Sequence, residues 1–377
     1  MSKRAAFCLG IMALLVTGCW DANYLINKKM VNGVGIDAGK DGQIKGTLRA
    51  VVLQSKGGGQ FDVKDEFVQA TGDSVAKIGY QIDAMLPGTI EASKTHVFVI
   101  GSEMAKRGIM SPLEIFFRSQ KGYLQGNLVI SEGLASDVIS SDITENNPVA
   151  FDIMQMILGA ERLTNIPVQT LHSMWMKYKE EGEDPILPVI RNAEKKKLIV
   201  DSVGLCNRDQ FTGIILPRDE SILLLLLKDK LDKQAMLNVE IAQQAEFSDE
   251  QEARAPVSFE ARKIKRIIDV KVNKQTNEME CDIKLDLYGS VSSYPTHLDR
   301  EIDRSTLNAE MSAILIKRAK AVVAKLQQAN CDAFGIGRIL RAQENALWRQ
   351  MDWKKTYPEI HIHPVVQVHI TSTGILK

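Results

Sequence analysis

The residue whose type and setting most clearly invite chemistry is Cys19. Val16-Thr17-Gly18 precedes it directly, an apolar run from Ala5 to Val16 precedes those, and Lys3 and Arg4 open the chain. A charged start, an apolar core and small residues at a cut is the order of a bacterial secretory signal. A cysteine straight after Val-Thr-Gly sharpens that to a lipoprotein signal. In such a signal the thiol of Cys19 takes up a diacylglycerol, and cleavage falls between Gly18 and Cys19. The residues before the cut must be small because the peptide enters the protease site extended. Two acyl chains anchor stably where one does not. Residues 5–16 fall short of the roughly 20 residues that span a bilayer. The alternatives are a spanning helix, an ordinary cleaved signal with a chance cysteine, and a buried N-terminal helix.

Other chemistry-bearing residues are sparser. Cys206, Cys281 and Cys331 are odd in number, far apart and without a Cys-x-x-Cys pair. A zinc site or a disulfide framework would be spaced otherwise. Buried free thiols are the default, with one disulfide among the three as the alternative. His361, His363 and His369 share one face of a C-terminal strand. The first two could reach a common zinc ion; His369 lies ~20 Å further along at strand rise. A polar solvated face is the preferred reading. His96 reads as packed and hydrogen-bonded. Gly57-Gly58-Gly59 lacks the Gly-Lys-Ser/Thr of a phosphate loop. Asp332-Ala333-Phe334-Gly335-Ile336-Gly337 follows a helix and lacks the third glycine of a dinucleotide motif. No Ser/His/Asp set, carboxylate pair or metal spacing stands out, so neither catalytic, cofactor-binding nor metal-ligating residues are expected.

The elements that must position these residues follow from periodicity. Chain length suggests two or three domains. Net charge is zero, and loss of Lys3 and Arg4 with the signal leaves 45 basic against 47 acidic residues. That balance offers no footprint for nucleic acid. Residues 31–37 and 44–53 predict a hairpin around Ala38–Gly42, followed by a flexible loop at Gly57–Gly59. A helix capped by Asp73 carries Val75, Ile78 and Ile82. Strands are expected at Thr95–Gly101 and 128–130, and helices at 112–118, 133–139, from Pro148 through Leu158, and around Leu171–Tyr178. Glu180–Pro185 breaks the last of these. Strands at 198–205 and 211–216 flank a turn at Asn207–Gln210. Asp219 is expected to cap a helix through Leu227 that is apolar on every side and therefore buried. Long strands follow at 257–272 and 279–291, then a helix from Ser305 to Asn330 with Leu307, Met311, Ile314, Leu315, Val322, Leu326 and Ala329 on its buried stripe. One short helix is expected to hold Trp348 and Trp353, before a last strand, Ile360–Ile370. The fold class is α+β, multi-domain, with mixed and antiparallel sheets and packed helices. Its expected divisions are a signal at 1–18, a tether at 19–30, an N-terminal α+β region at 31–193 and a C-terminal α+β domain at 194–377.

Several short stretches share an order and spacing with a known family. Cys19-Trp20-Asp21, Val34-Gly35-Ile36-Asp37, Ser93-Lys94-Thr95-His96 with the strand after it, Asp184-Pro185-Ile186-Leu187-Pro188, Asp332-Ala333-Phe334-Gly335, Trp348, Trp353 and Gly374 together resemble the Ger(x)C family of spore germination lipoproteins. One departure is Asn23-Tyr24-Leu25, where the family more often has an acidic residue before the leucine. The resemblance covers essentially the whole mature chain. It implies the C subunit of a nutrient germinant receptor: a non-enzymatic α+β body held by lipid on the outer face of the spore's inner membrane, partnered with membrane A and B subunits. It implies no catalytic residue. The rival readings are a lipid-anchored extracytoplasmic solute-binding protein, which would need a polar-lined cleft, and an extracytoplasmic enzyme.

Overall fold

Alternating apolar residues and a glycine-rich turn produce the first hairpin where the pattern predicts it. β1 (Lys28–Ala38) pairs antiparallel with β2 (Ile44–Gly57). The computed structural model describes residues 28–373 apart from 59, 87, 120–121, 142–146, 194–196, 243–253, 274, 277 and 294–302. Cys19 and Gly374 lie outside the described residues.

The glycine stretch at 57–59 joins two long strands rather than ending a sheet. β3 (Gln60–Gly72) returns along β2. Its alternation is masked by Asp62, Lys64, Asp65 and Glu66, so pattern alone misses it. Ser74, rather than Asp73, then caps α1 (Val75–Met85), its side chain accepting Lys77 N. Asp73 pairs with the Lys77 ammonium instead. β4 (Thr89–Glu91), β5 (Val97–Gly101), α2 (Ser102–Arg107), α3 (Met110–Arg118), β6 (Asn127–Ser131), α4 (Ala135–Ile139), α5 (Val149–Arg162), α6 (Leu171–Lys179) and β7 (Ile186–Asn192) follow. β1, β5, β6 and β7 run parallel side by side. Being covered on both faces, β5 and β6 read as continuous apolar runs.

β8 (Leu198–Asn207) and β9 (Gln210–Leu216) extend this same sheet beyond β7. The order is β3-β2-β1-β5-β6-β7-β8-β9, with β4 beside β1. The first sheet therefore continues across residue 193. On one face Phe98, Ile100, Leu128 and Ile130 pack against Met104, Leu113 and Met174 of α2, α3 and α6. On the other, Val97, Val99 and Val129 meet Val138, Ile153 and Ile157 of α4 and α5. α5 turns Ala150, Ile153 and Ile157 inward and leaves Phe151 partly exposed.

α7 (Arg218–Leu227) has every residue from Ser221 to Leu227 buried. Asp219 lies in its first turn without capping it. A helix apolar all round must be enclosed, and α7 is enclosed between the two sheets. Its leucines share one core with Val203, Leu205 and Leu216 of the first sheet and with the second sheet. That second sheet has the order β10-β11-β12-β13, comprising β10 (Ala235–Ala242), β11 (Arg254–Val272), β12 (Met279–Ser293) and β13 (His361–Ser372). β12 and β13 are parallel, so a crossover must join them. It is made by α8 (Arg304–Gln328), α9 (Ile336–Gln343), α10 (Asn345–Trp348) and α11 (Trp353–Thr356). Trp348 and Trp353 thus sit on two short helices rather than one. Leu307, Met311, Leu315, Val322 and Leu326 of α8 are buried on the inner face of β12 and β13, and Ile314 is half-buried beside them.

Candidate functional site

Two of the stretches singled out in the sequence meet in space. Asp184 precedes β7, and Asp332 lies between α8 and α9. The Asp184 carboxylate accepts Asp332 N at 2.8 Å and Arg208 N at 2.7 Å. Asp184 N in turn donates to Asp332 O at 2.9 Å. Asp332 caps α9: its two oxygens accept Ile336 N at 2.9 Å and Gly337 N at 2.8 Å. Asn207 Nδ2 donates to Asn330 O, and Asn330 Nδ2 donates to Lys354 O. The 180–184 loop, the β8–β9 turn and the α8–α9 link are thereby tied into one knot at the seam of the two sheets. Gly182 adopts φ +89°, and Arg338 N donates to its carbonyl at 2.8 Å. A Cβ on Gly182 would lie 2.5 Å from Arg338 N.

A partly buried charge cluster lies beneath the knot, with Glu183 and Lys228 enclosed and Arg338 at its exposed rim. Glu183 receives the Lys228 ammonium at 3.4 Å, the Arg338 guanidinium at 3.5 Å and the Lys177 ammonium at 4.0 Å. Burial pushes the Glu183 carboxyl up, but Lys228, Lys177 and Arg338 outweigh it and hold it below the usual range. Burial, reinforced by Lys228, lowers Lys177 to about 8 against the pull of Glu183. Burial likewise lowers Lys228. Asp332, wholly enclosed, is pushed up to about 7 despite the two amides it accepts. Burial also raises Asp184, opposed by its two amide donors. Perturbed groups at a seam mark a candidate site.

The cluster opens into a cavity of about 710 Å³ lined by Lys177, Tyr178, Gly182, Arg208, Trp348 and Trp353, among others. The volume is within the range of small-molecule sites, and seams between units are where such sites concentrate. The two indole rings lie 5.2 Å apart at 48°. No single motif foretells this cavity. Its walls come from four separate stretches, and only the helix-breaking Glu180–Pro185 run hinted that something other than packing governs the seam.

The remaining candidates are placed as follows. His361 and His363 are partly stacked, ring centroids 6.5 Å apart, and the parallel register sets them beside Glu280 and Asp282. His369 bonds Asp286 at 3.1 Å and stacks on Tyr288. Among the described residues no group of three His, Cys, Asp or Glu side chains is placed to hold a metal. His96 is half-buried, edge-on to Phe151. Cys206, Cys281 and Cys331 are free and buried. Burial raises all three thiols, Cys281 to about 12. The carboxyl end of β1, where an open α/β sheet would present a helix N-terminus to a phosphate, is filled from within. Asp37 accepts Ala135 N at 2.6 Å and Ser136 N at 2.8 Å at the start of α4. Among the described residues no helix is long and apolar enough to cross a membrane.

Comparison with known proteins adds three findings. Residues 21–192 match the family model described as the spore germination protein N-terminal domain, and residues 201–374 match that of the spore germination B3/GerAC-like C-terminal domain. YfkR of Bacillus subtilis (strain 168), which carries the name of a spore germination protein, is 24% identical over 385 residues, covering 97% of this chain and 95% of that one. The crystal structure of the GerBC protein superposes with a TM-score of 0.58 at 17% identity, over 90% of this chain and 97% of that one. At that identity the likeness speaks for the fold.

Proposed function

The chain belongs to the GerAC (Ger(x)C) family of spore germination proteins, and from that membership we propose that it is the lipid-anchored C subunit of a nutrient germinant receptor. In this reading it is not an enzyme. Cys19 carries a diacylglycerol, and the body sits on the outer face of the spore's inner membrane beside the A and B subunits. The observation that carries the reading is the pair of family models, which together account for nearly all of the chain after Cys19. The Val16-Thr17-Gly18-Cys19 order supports the anchor. A tether has a physical role: it raises the effective concentration of the body beside its partners, so that weak contacts suffice.

The deciding experiment follows germination, as loss of refractility, in spores lacking this protein. Failure of the nutrient response with normal germination by a route that bypasses receptors supports the subunit role; normal responses to both overturn it. Anchoring is tested separately by Cys19→Ala, which should leave the body folded and release it from membranes. Retention in the membrane fraction overturns the anchor alone.

The seam cavity favours a second reading, a solute-binding role in the same receptor. Calorimetry with nutrient panels on the body tests it: saturable heat that Trp353→Ala abolishes supports a ligand, and silence across the panel removes it.

A further inference from the structure

Lys177 stands in the last turn of α6 and lines the seam cavity. Around it, three cations share one carboxylate. Lys228 lies 3.4 Å from Glu183, Arg338 3.5 Å and Lys177 4.0 Å. Lys228 donates a hydrogen bond to Glu183. The Lys177 ammonium is too distant to do so, and 26% of its side chain stays accessible. Lys230 adds a further positive charge. The other enclosed carboxyl, Asp332, gives both oxygens to backbone amides. The buried Cys331 thiol stays uncharged and offers no compensation. Glu180, Glu181 and Arg208, at the cavity rim, are exposed, and water and salt screen them.

The enclosed cluster therefore carries surplus positive charge, which the loss of one proton relieves. Arg338 cannot give one up. Lys228 is enclosed and does not line the cavity. The amine that can be both uncharged and reached from the cavity is Lys177. An uncharged amine has a free lone pair, and a lysine crowded by other cations is suited to attack carbonyl carbons.

We propose that Lys177 is a covalent site for a small aldehyde bearing an apolar or aromatic group, which it takes up as an imine. Nζ adds to the carbonyl carbon. The carbonyl oxygen then leaves as water with the two protons of the amine, and C=N replaces C=O. Nothing is oxidised or reduced. Trp348 and Trp353 line the same cavity, and their indole faces would cover the aldehyde's apolar group. Once protonated, the imine nitrogen keeps Glu183 as its counter-ion. The proposal uses the cavity of the solute reading, but it needs neither a nutrient there nor receptor membership.

The probe is benzaldehyde with cyanoborohydride, which reduces the imine to a stable benzylamine, applied to the full chain at about pH 8. Peptide mapping by mass spectrometry reads the rate at each lysine. Lys177 should be modified at least tenfold faster than every other lysine, and its rate should saturate as benzaldehyde is raised. The α-amine of an added dipeptide, about as basic but with no cavity, is the reference: its rate should stay proportional to benzaldehyde. Lys177→Arg keeps the charge beside Glu183 and should leave no fast site. Trp348→Ala should raise the half-saturating concentration at least threefold. A smaller preference for Lys177, a rate there that stays linear, or a fast site that survives Lys177→Arg overturns the proposal. An unchanged half-saturating concentration in Trp348→Ala overturns the role given to the indoles. Each of these failures leaves the calorimetric test of a non-covalent solute standing.

Discussion

The Asp184 carboxylate accepts the backbone N–H of Asp332, 148 residues further along the chain, at 2.8 Å. One side chain thus fastens the start of β7, in the first sheet, to the segment that launches α9 above the second. Its other oxygen holds Arg208 N in the β8–β9 turn.

The Asp332 amide is partly buried while the Arg208 amide sits at an exposed turn, so the loss of Asp184 is felt mainly at Asp332. Asp184→Ala leaves the Asp332 amide without its acceptor and should cost about 1–3 kcal/mol. Asp184→Asn keeps one acceptor and should cost about half as much. Denaturant unfolding measures both. An Ala variant as stable as the parent would mean that water replaces the carboxylate and that the knot is not what joins the halves.

Gly182 tests the same seam through shape. Its φ of +89° disfavours a side chain, and an added Cβ would meet Arg338 N and Gly337 at 2.5 Å. Gly182→Ala should destabilise by about 1–3 kcal/mol, with the charge cluster intact. Cavity probes should report the change too, since the residue lines the cavity. A melting temperature within one degree of the parent would show that the loop yields easily.

α8 offers a test of burial. Leu315 is fully enclosed against the second sheet. Leu315→Asp places an unpaired charge there and should cost about 3–5 kcal/mol. An unchanged Tm would contradict the packing.

Local pattern made much of this architecture legible. α8 was readable because its stripe repeats over seven turns with Lys317, Lys320 and Lys325 off it, and β12 because Cys281, Ile283, Leu285 and Leu287 alternate with charged residues. α7 was readable as buried because no face of it is polar. β3 was not readable, since charged residues fill an edge strand that need bury only part of one face. The caps failed for a simpler reason: Asp73 and Ser74 are adjacent candidates, and only backbone geometry chooses between them. The seam was half legible. Asp184 and Asp332 stood out individually, but their contact depends on the crossover that brings the α8–α9 link back to the end of β8, which no local pattern encodes.

The buried titratable groups set how stability changes with pH. Asp332 rises from 3.8 to about 7 through burial, and Glu161 rises from 4.5 to about 7 through burial and then the charge of Asp232. Between their unfolded and folded values the folded chain binds more protons than the unfolded one. Their contribution is therefore full below about pH 4 and is lost as pH rises to 7. Glu183 acts oppositely: its folded value is depressed, so its contribution is lost in more acid solution. Lys177, lowered to about 8, binds fewer protons when folded, so stability recovers from about pH 8 toward its unfolded value of 10.5. Urea midpoints should accordingly peak near pH 5, dip between 7 and 8, and rise again. Glu161→Gln removes a charge that is costly at pH 8, and should raise stability there by up to about 3 kcal/mol while changing little at pH 4.5. A uniform offset at every pH would mean that Glu161 titrates as an ordinary surface carboxylate.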